Sequence, residues 1–162
     1  MVETIRTATA ADIDTIKQIA VDTNMFGPDD VGFFDEMITG FIDGTMANNY
    51  WLVVEHESGV VAAAYYAPEP FADRMWNLYF ISVAPHHQGH GTGGRLLDHV
   101  EQQLQTRGEQ DARVLIVETS STDQYAPTRD FYAQHGYDEE ARIRQFYGPN
   151  DHKVVFWKSL LD

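Results

Sequence analysis

The chain of 162 residues contains no cysteine, which removes disulfides, zinc–thiolate sites and a cysteine nucleophile together. Basic residues are scarce: eleven Lys plus Arg stand against 25 Asp plus Glu, a formal net charge of −14. Only Lys17, Lys153 and Lys158 are lysines. Such a chain repels nucleic acid and anionic membranes, so neither is expected as a partner. Because the acids are spread along the chain, they suit general solvation at high salt better than steering of a cationic substrate. No apolar run approaches the roughly 20 residues that span a bilayer. The opening "MVETIRTATAADID" lacks the basic segment, apolar stretch and cleavage site of a signal peptide, so the expected location is cytoplasmic. Repeats, low-complexity tracts and linkers are also missing, which leaves one domain over 1–162.

What is present orders itself into short elements. "TIRTAT" reads as a strand, and Thr9-Ala10-Ala11-Asp12 resembles a capping box ahead of Ile13, Ile16, Ile19 and Ala20 on one helical face. After the turn "FGPDD", Val31, Phe34, Ile38 and Phe41 recur at helical spacing. "YWLVVEHESGVVAAAYYA" predicts a hairpin about Glu-Ser-Gly, and "MWNLYFISVA" a strand stopped by Pro85. Leu96, Leu97, Val100 and Leu104 define a helix ending near Gly108, followed by "ARVLIVET", a strand apolar enough to be covered on both faces. Pro127 opens a short helix that Gly136 stops, and two antiparallel strands about Gly148-Pro149-Asn150-Asp151 complete the chain. The sum is a mixed sheet with helices on its faces, an α/β or α+β sandwich.

One stretch, Gln88-Gly89-His90-Gly91-Thr92-Gly93-Gly94, lies between a strand and a helix. Three readings compete: a phosphate cradle, a metal site from His86, His87 and His90, and a flexible turn. Helix N-termini carry unpartnered N–H groups and the positive end of the dipole, and glycines admit close approach of an anion. The spacing matches neither G-x-x-x-x-G-K-[ST] nor G-x-G-x-x-G. The loop contains no acidic residue, and metalloprotease helix patterns are absent, which weighs against a metal.

Gln88-Gly89-His90-Gly91-Thr92-Gly93 matches the Q/R-x-x-G-x-G/A motif, and the chain resembles the GNAT superfamily of acyl-CoA-dependent N-acyltransferases. The flanks "LYFISVAPHHQGHGTGGRLL" and the downstream "FYAQHGY" resemble the family too, and the likeness spans nearly the whole chain. It implies a mixed, mostly antiparallel central sheet flanked by helices, with acetyl-CoA as cosubstrate and no metal. The pyrophosphate would be bound by backbone N–H groups of Gln88, Gly89, His90, Gly91, Thr92, Gly93 and Gly94. The pantetheine arm would run beside Ile81, Ser82 and Val83.

Acetyl transfer to an amine needs a neutral amine, stabilisation of the developing oxyanion and a thiolate able to leave. The resemblance implies that Tyr132, in "DFYAQHGYD", protonates the coenzyme A thiolate and lies against the cofactor. Glu118, leaving the apolar run "VLIV", is the candidate base, because partial desolvation raises a carboxyl group toward a working pKa. Capping of a strand end is its competing role, and the longer spacing to Tyr132 departs from acetyltransferases of ribosomal-protein N-termini. Tyr79 could line the amine pocket, and Arg129 could contact the cofactor or simply face solvent. Asp123 and Tyr125 are candidates for the substrate mouth, and Met25, Phe26, Phe33 and Phe34 for an acceptor wall or for core. The expected function is transfer of acetyl from acetyl-CoA to a primary amine by direct attack. A non-catalytic acyl-CoA sensor or interaction module is the alternative, and a homodimer stays open.

Overall fold

A computed structural model describes residues 3–161. Seven strands and four helices follow one another: β1 (Thr4–Thr7), α1 (Ile13–Asp22), α2 (Phe33–Ile42), β2 (Tyr50–His56), β3 (Gly59–Pro68), β4 (Met75–Val83), α3 (Thr92–Arg107), β5 (Val114–Ser120), α4 (Ala126–Gln134), β6 (Asp138–Gly148) and β7 (Asp151–Ser159). Hydrogen-bonded neighbours run β1-β2-β3-β4-β5-β7-β6, a mixed and mostly antiparallel sheet as expected. The β4–β5 pair is parallel, while β1–β2, β2–β3, β5–β7 and β6–β7 are antiparallel. The chain divides into two compact units: the part up to Ala67 with Phe80–Val100, and Pro68–Tyr79 with the part from Glu101 onward.

In the first unit the Thr9–Asp12 cap forms as the sequence predicts. Thr9 N–H donates to Asp12 Oδ2 at 2.8 Å, and Asp12 N–H donates to the Thr9 carbonyl at 3.0 Å. A 3-10 turn over Ala10–Asp12 precedes α1. The apolar faces of α1 (Ile16, Ala20) and α2 (Phe34, Ile38) close on Trp51, Val53, Ala63, Tyr65 and Phe80. Phe34 is the hub, with edge-to-face contacts to Phe26, Trp51 and Phe80. Val31, read as helical from its spacing, lies just ahead of α2 but is buried nonetheless. Burial rewards the side chain's direction, whether or not its backbone has entered the helix.

In the second unit β5 is buried on both faces, as its apolar run requires. Alternation sorts its residues. Trp76, Leu78, Leu115, Val117 and Phe156 share one face; Asn77, Tyr79, Ile116, Glu118, Lys153, Val155 and Trp157 share the other. Pro127 sits in the first turn of α4. Gly108 and Gly136 end α3 and α4 with φ of 88°, a conformation that β-carbons disfavour. Tyr137 Oη donates to Glu101 Oε2 at 2.7 Å, and Lys158 Nζ donates to Glu101 Oε1 at 2.8 Å and to the His135 carbonyl at 2.9 Å.

Candidate active site

The glycine loop enters α3 after a 3-10 turn over Pro85–His87 that the sequence did not suggest. Gly89 and Gly91 adopt φ of 82° and 79°. Arg95 N–H donates to the Gly91 carbonyl at 3.0 Å, making Gly91 the last residue before the helix. The N–H groups of Thr92, Gly93 and Gly94 therefore have no intrahelical acceptor. These are features of an anion cradle.

The loop's polar side chains brace it. Gln88 Nε2 donates to the Val83 carbonyl at 3.0 Å, and Arg95 Nη1 to the His90 carbonyl at 3.0 Å. Thr92 Oγ1 and Arg95 Nε donate to the two oxygens of Glu3, at 2.9 and 2.8 Å. Burial pushes the Glu3 carboxyl up, but these hydrogen bonds from Thr92 and Arg95 hold it below the usual carboxylate range. His86 and His87 lie 4.6 Å apart by ring centroid, and His56 is 5.1 Å from His87. Burial first, then the neighbouring His86, His56 and His90, keep His87 below its ordinary value. Among the described residues no group of three ligating side chains is arranged for a metal ion. Ser82, on β4, is buried and donates from Oγ to Thr23 Oγ1 at 3.1 Å. Ile81 and Val83, on the same strand, are half-buried. In this first unit Phe33 is 44% exposed while the adjacent Phe34 is core. Phe26 and the Phe33 ring meet edge to face at 5.5 Å.

The second unit holds the titratable candidates. The β4–β5 ladder runs from Met75↔Val114 to Leu78↔Val117, and Tyr79 and Glu118 lie one residue beyond it. Tyr132 is 97% buried, its ring 5.6 Å from Phe156 and 5.8 Å from Tyr137. Phe156 belongs to the Leu78 face, so Tyr132 and Glu118 approach the end of the ladder from opposite faces. Burial pushes the Tyr132 phenol well up, so it keeps its proton throughout the neutral range. Arg129 Nη1 donates to the Ser120 and Thr122 carbonyls, both at 2.8 Å. It therefore clamps the end of β5.

Glu118 does not stand alone. Lys153 Nζ is 3.3 Å from Glu118 Oε2 and 3.5 Å from the centroid of the Phe146 ring. Tyr147 is pushed up to about 12, by burial first and then by the charges of Glu118 and Asp151. Tyr125 is likewise raised, by burial and by Asp151. Two more partners, unread in the sequence, share this face. Asn77 Nδ2 donates to Glu69 Oε2 at 3.0 Å, and Tyr79 Oη donates to the same oxygen at 2.9 Å. Glu69 carried the signal used for Glu118, a lone carboxylate ending an apolar run. Asn77 carried none, since only the structure reveals a buried amide.

The family description for the acetyltransferase (GNAT) domain matches residues 47–139. A GNAT-family protein from Desulfovibrio desulfuricans is 27% identical over 98% of this chain and 99% of its own, with a TM-score of 0.89. The ribosomal-protein-S18-alanine N-acetyltransferase of Escherichia coli shares the fold at 18% identity, covering 98% and 94% of the two chains with a TM-score of 0.77. A Salmonella typhimurium protein solved with its cofactor acetyl-CoA does so at 20% identity, 98% and 94% coverage and a TM-score of 0.78. No curated protein sequence matches the chain. With the family description covering more than half of its length, the chain belongs to the GNAT family of acetyltransferases.

Proposed function

We propose that the chain, acting as a single acetyltransferase domain, transfers the acetyl group of acetyl-CoA to a primary amine by direct attack in a ternary complex. The observation that carries this reading is the loop from Gln88 to Gly94. Gly89 and Gly91 have left-handed backbone, and the first N–H groups of α3, which lack intrahelical acceptors, are available to an approaching anion. The pyrophosphate of the cosubstrate fits there, and the main chain of Ile81, Ser82 and Val83 precedes it along β4 as a track for the pantetheine arm.

The end of the β4–β5 ladder supports the same reading. Past Leu78↔Val117 the two strands no longer spend their N–H and carbonyl groups on each other. Tyr132, on the Leu78 face, is the proton donor to the leaving sulfur. Its raised pKa means that the proton moves only as charge develops on the thiolate. Glu118 and Tyr79, on the opposite face, border the amine side in the second unit; Phe26 and Phe33, which pack edge to face in the first unit, stay candidates for contact with the acceptor. Arg129 acts by holding the end of β5. A covalent cysteinyl intermediate is excluded because the chain has no cysteine.

Release of free coenzyme A, measured over spermidine, L-methionine and an Ala-headed hexapeptide, tests the proposal alongside calorimetry with acetyl-CoA. Turnover with one of these amines is the expected result. Tight acetyl-CoA binding with no turnover on any of them would favour a sensor or interaction module instead.

A further inference from the structure

Asn77 is a buried amide with one end used and one end empty. It is 1% exposed, its Nδ2 donates to Glu69, and its Oδ1 has no hydrogen-bond partner. The assignment of the two ends is fixed by chemistry. An amide turned the other way would set its oxygen against the Glu69 carboxylate and leave two acceptors repelling each other. Oδ1 is thus a desolvated acceptor waiting for an N–H or O–H, an arrangement that native interiors rarely leave unmet.

Glu69 shows the same asymmetry. The bonds from Asn77 and Tyr79 both end on Oε2, which leaves Oε1 to accept from a further donor. Its backbone is held as well: Glu69 N–H donates to the Met75 carbonyl at 2.8 Å, closing the loop between β3 and β4. Glu118, by contrast, has a lysine ammonium 3.3 Å away. A second cation approaching it would meet that positive charge, whereas the partners of Glu69 are neutral.

We infer that Glu69, held by Asn77 and Tyr79, receives the acceptor's ammonium group and takes its proton, so that Glu69 and not Glu118 is the general base. The inference rests on the acetyl-transfer reading above. A primary ammonium offers three N–H donors; Glu69 Oε1 and Asn77 Oδ1 accept two of them. Glu69 takes one proton and passes it to solvent, leaving a neutral amine. A C–N bond then forms at the thioester carbonyl and the C–S bond breaks. The second amine proton passes to the Glu69 carboxylate as the amide forms, and the sulfur gains one from Tyr132, whose phenolate is then reprotonated from solvent. The two acceptors therefore favour a primary or secondary ammonium over a tertiary one, which carries a single N–H, and only a primary one keeps a third N–H to spare.

Two measurements test this. Binding of n-butylammonium, followed by the side-chain amide resonance of Asn77, is expected to shift that resonance in the wild type and not in Glu69→Gln. The best amine of the panel is expected to turn over about 100-fold more slowly with Glu69→Gln, with unchanged acetyl-CoA affinity. That deficit should narrow about tenfold or more as pH rises and free amine accumulates without a base. Glu118→Gln should lose less than about fivefold, a bound set well below general-base effects. Tyr79→Phe, which removes one bond to the carboxylate and keeps the ring, should lose an intermediate amount and guards against misfolding of the first variant. No resonance shift in the wild type, or full activity in Glu69→Gln beside a large loss in Glu118→Gln, overturns the assignment. A resonance shift without turnover of any amine would uphold the ammonium site and overturn the transfer reaction instead.

Discussion

At the scale of single residues, two positions allow binding and chemistry to be tested apart. Tyr132 is buried, and its phenol is raised by that burial. Tyr132→Phe keeps the ring contacts to Phe156 and Tyr137 and removes only the hydroxyl group that would donate the proton. Turnover should fall about 10- to 1000-fold while acetyl-CoA affinity by calorimetry stays near wild type. Wild-type rates would take Tyr132 out of the mechanism. Gly91 has φ of 79°, and a β-carbon there would come 2.8 Å from Arg95 Nη1. That guanidinium is the mobile end of an exposed side chain and can swing aside, so the backbone conformation is the larger obstacle. Gly91→Val should distort the cradle by about 1–2 kcal/mol, weakening acetyl-CoA about tenfold. Unchanged affinity would deny the loop its role. Neither variant should alter the other's readout, because one tests anion binding and the other proton delivery.

At the scale of elements, two polar clusters hold helices in register. Arg6 donates to both oxygens of Asp12, at 2.8 and 3.0 Å, tying β1 to the start of α1. Those bonds, helped by Thr9 and opposed by burial, hold the Asp12 carboxyl below its usual range. The depressed value means that the stabilisation is present in full above the ordinary carboxyl pKa of about 4 and is lost as pH falls through the folded value. Asp12→Asn should cost about 1–3 kcal/mol at pH 7 by urea denaturation, and the gap to wild type should close in acid. In the second unit, Glu101 joins α3 to Tyr137 and to Lys158 of β7. Glu101→Met strands the Lys158 ammonium, which is only partly exposed, and should cost about 2–3 kcal/mol. Adding Lys158→Met should recover much of that loss, since an apolar pair of similar volume replaces the ion pair. A double variant no more stable than the single one would show that the cluster's worth lies elsewhere.

At the scale of the whole molecule, charge dominates. A net −14 on 162 residues makes the folded chain repel itself. Raising ionic strength from about 0.05 M to about 1 M shortens the screening length from over 10 Å to about 3 Å. The melting temperature by calorimetry should therefore rise with salt. A fall would point to the named ion pairs outweighing the diffuse repulsion. Among the described residues no helix is long and apolar enough to cross a membrane.

Much of this protein was legible without coordinates. Hydrophobic period and punctuation placed the seven strands and four helices, because alternation, Pro127 and the stopping glycines act locally. The proposed cradle could be read for the same reason, since it is one continuous stretch whose backbone would do the binding. The partnerships that set the chemistry were not. Glu118 and Glu69 look alike in sequence, each a carboxylate closing an apolar run. Only the fold hands Lys153 to one and Asn77 with Tyr79 to the other. Charge pairing and desolvation depend on distances between residues that are remote along the chain, up to 35 residues apart for Lys153 and Glu118. Local pattern determined which elements form and where a glycine-rich turn opens a helix; tertiary contact decided which carboxylate is paired with an ammonium and which with neutral donors.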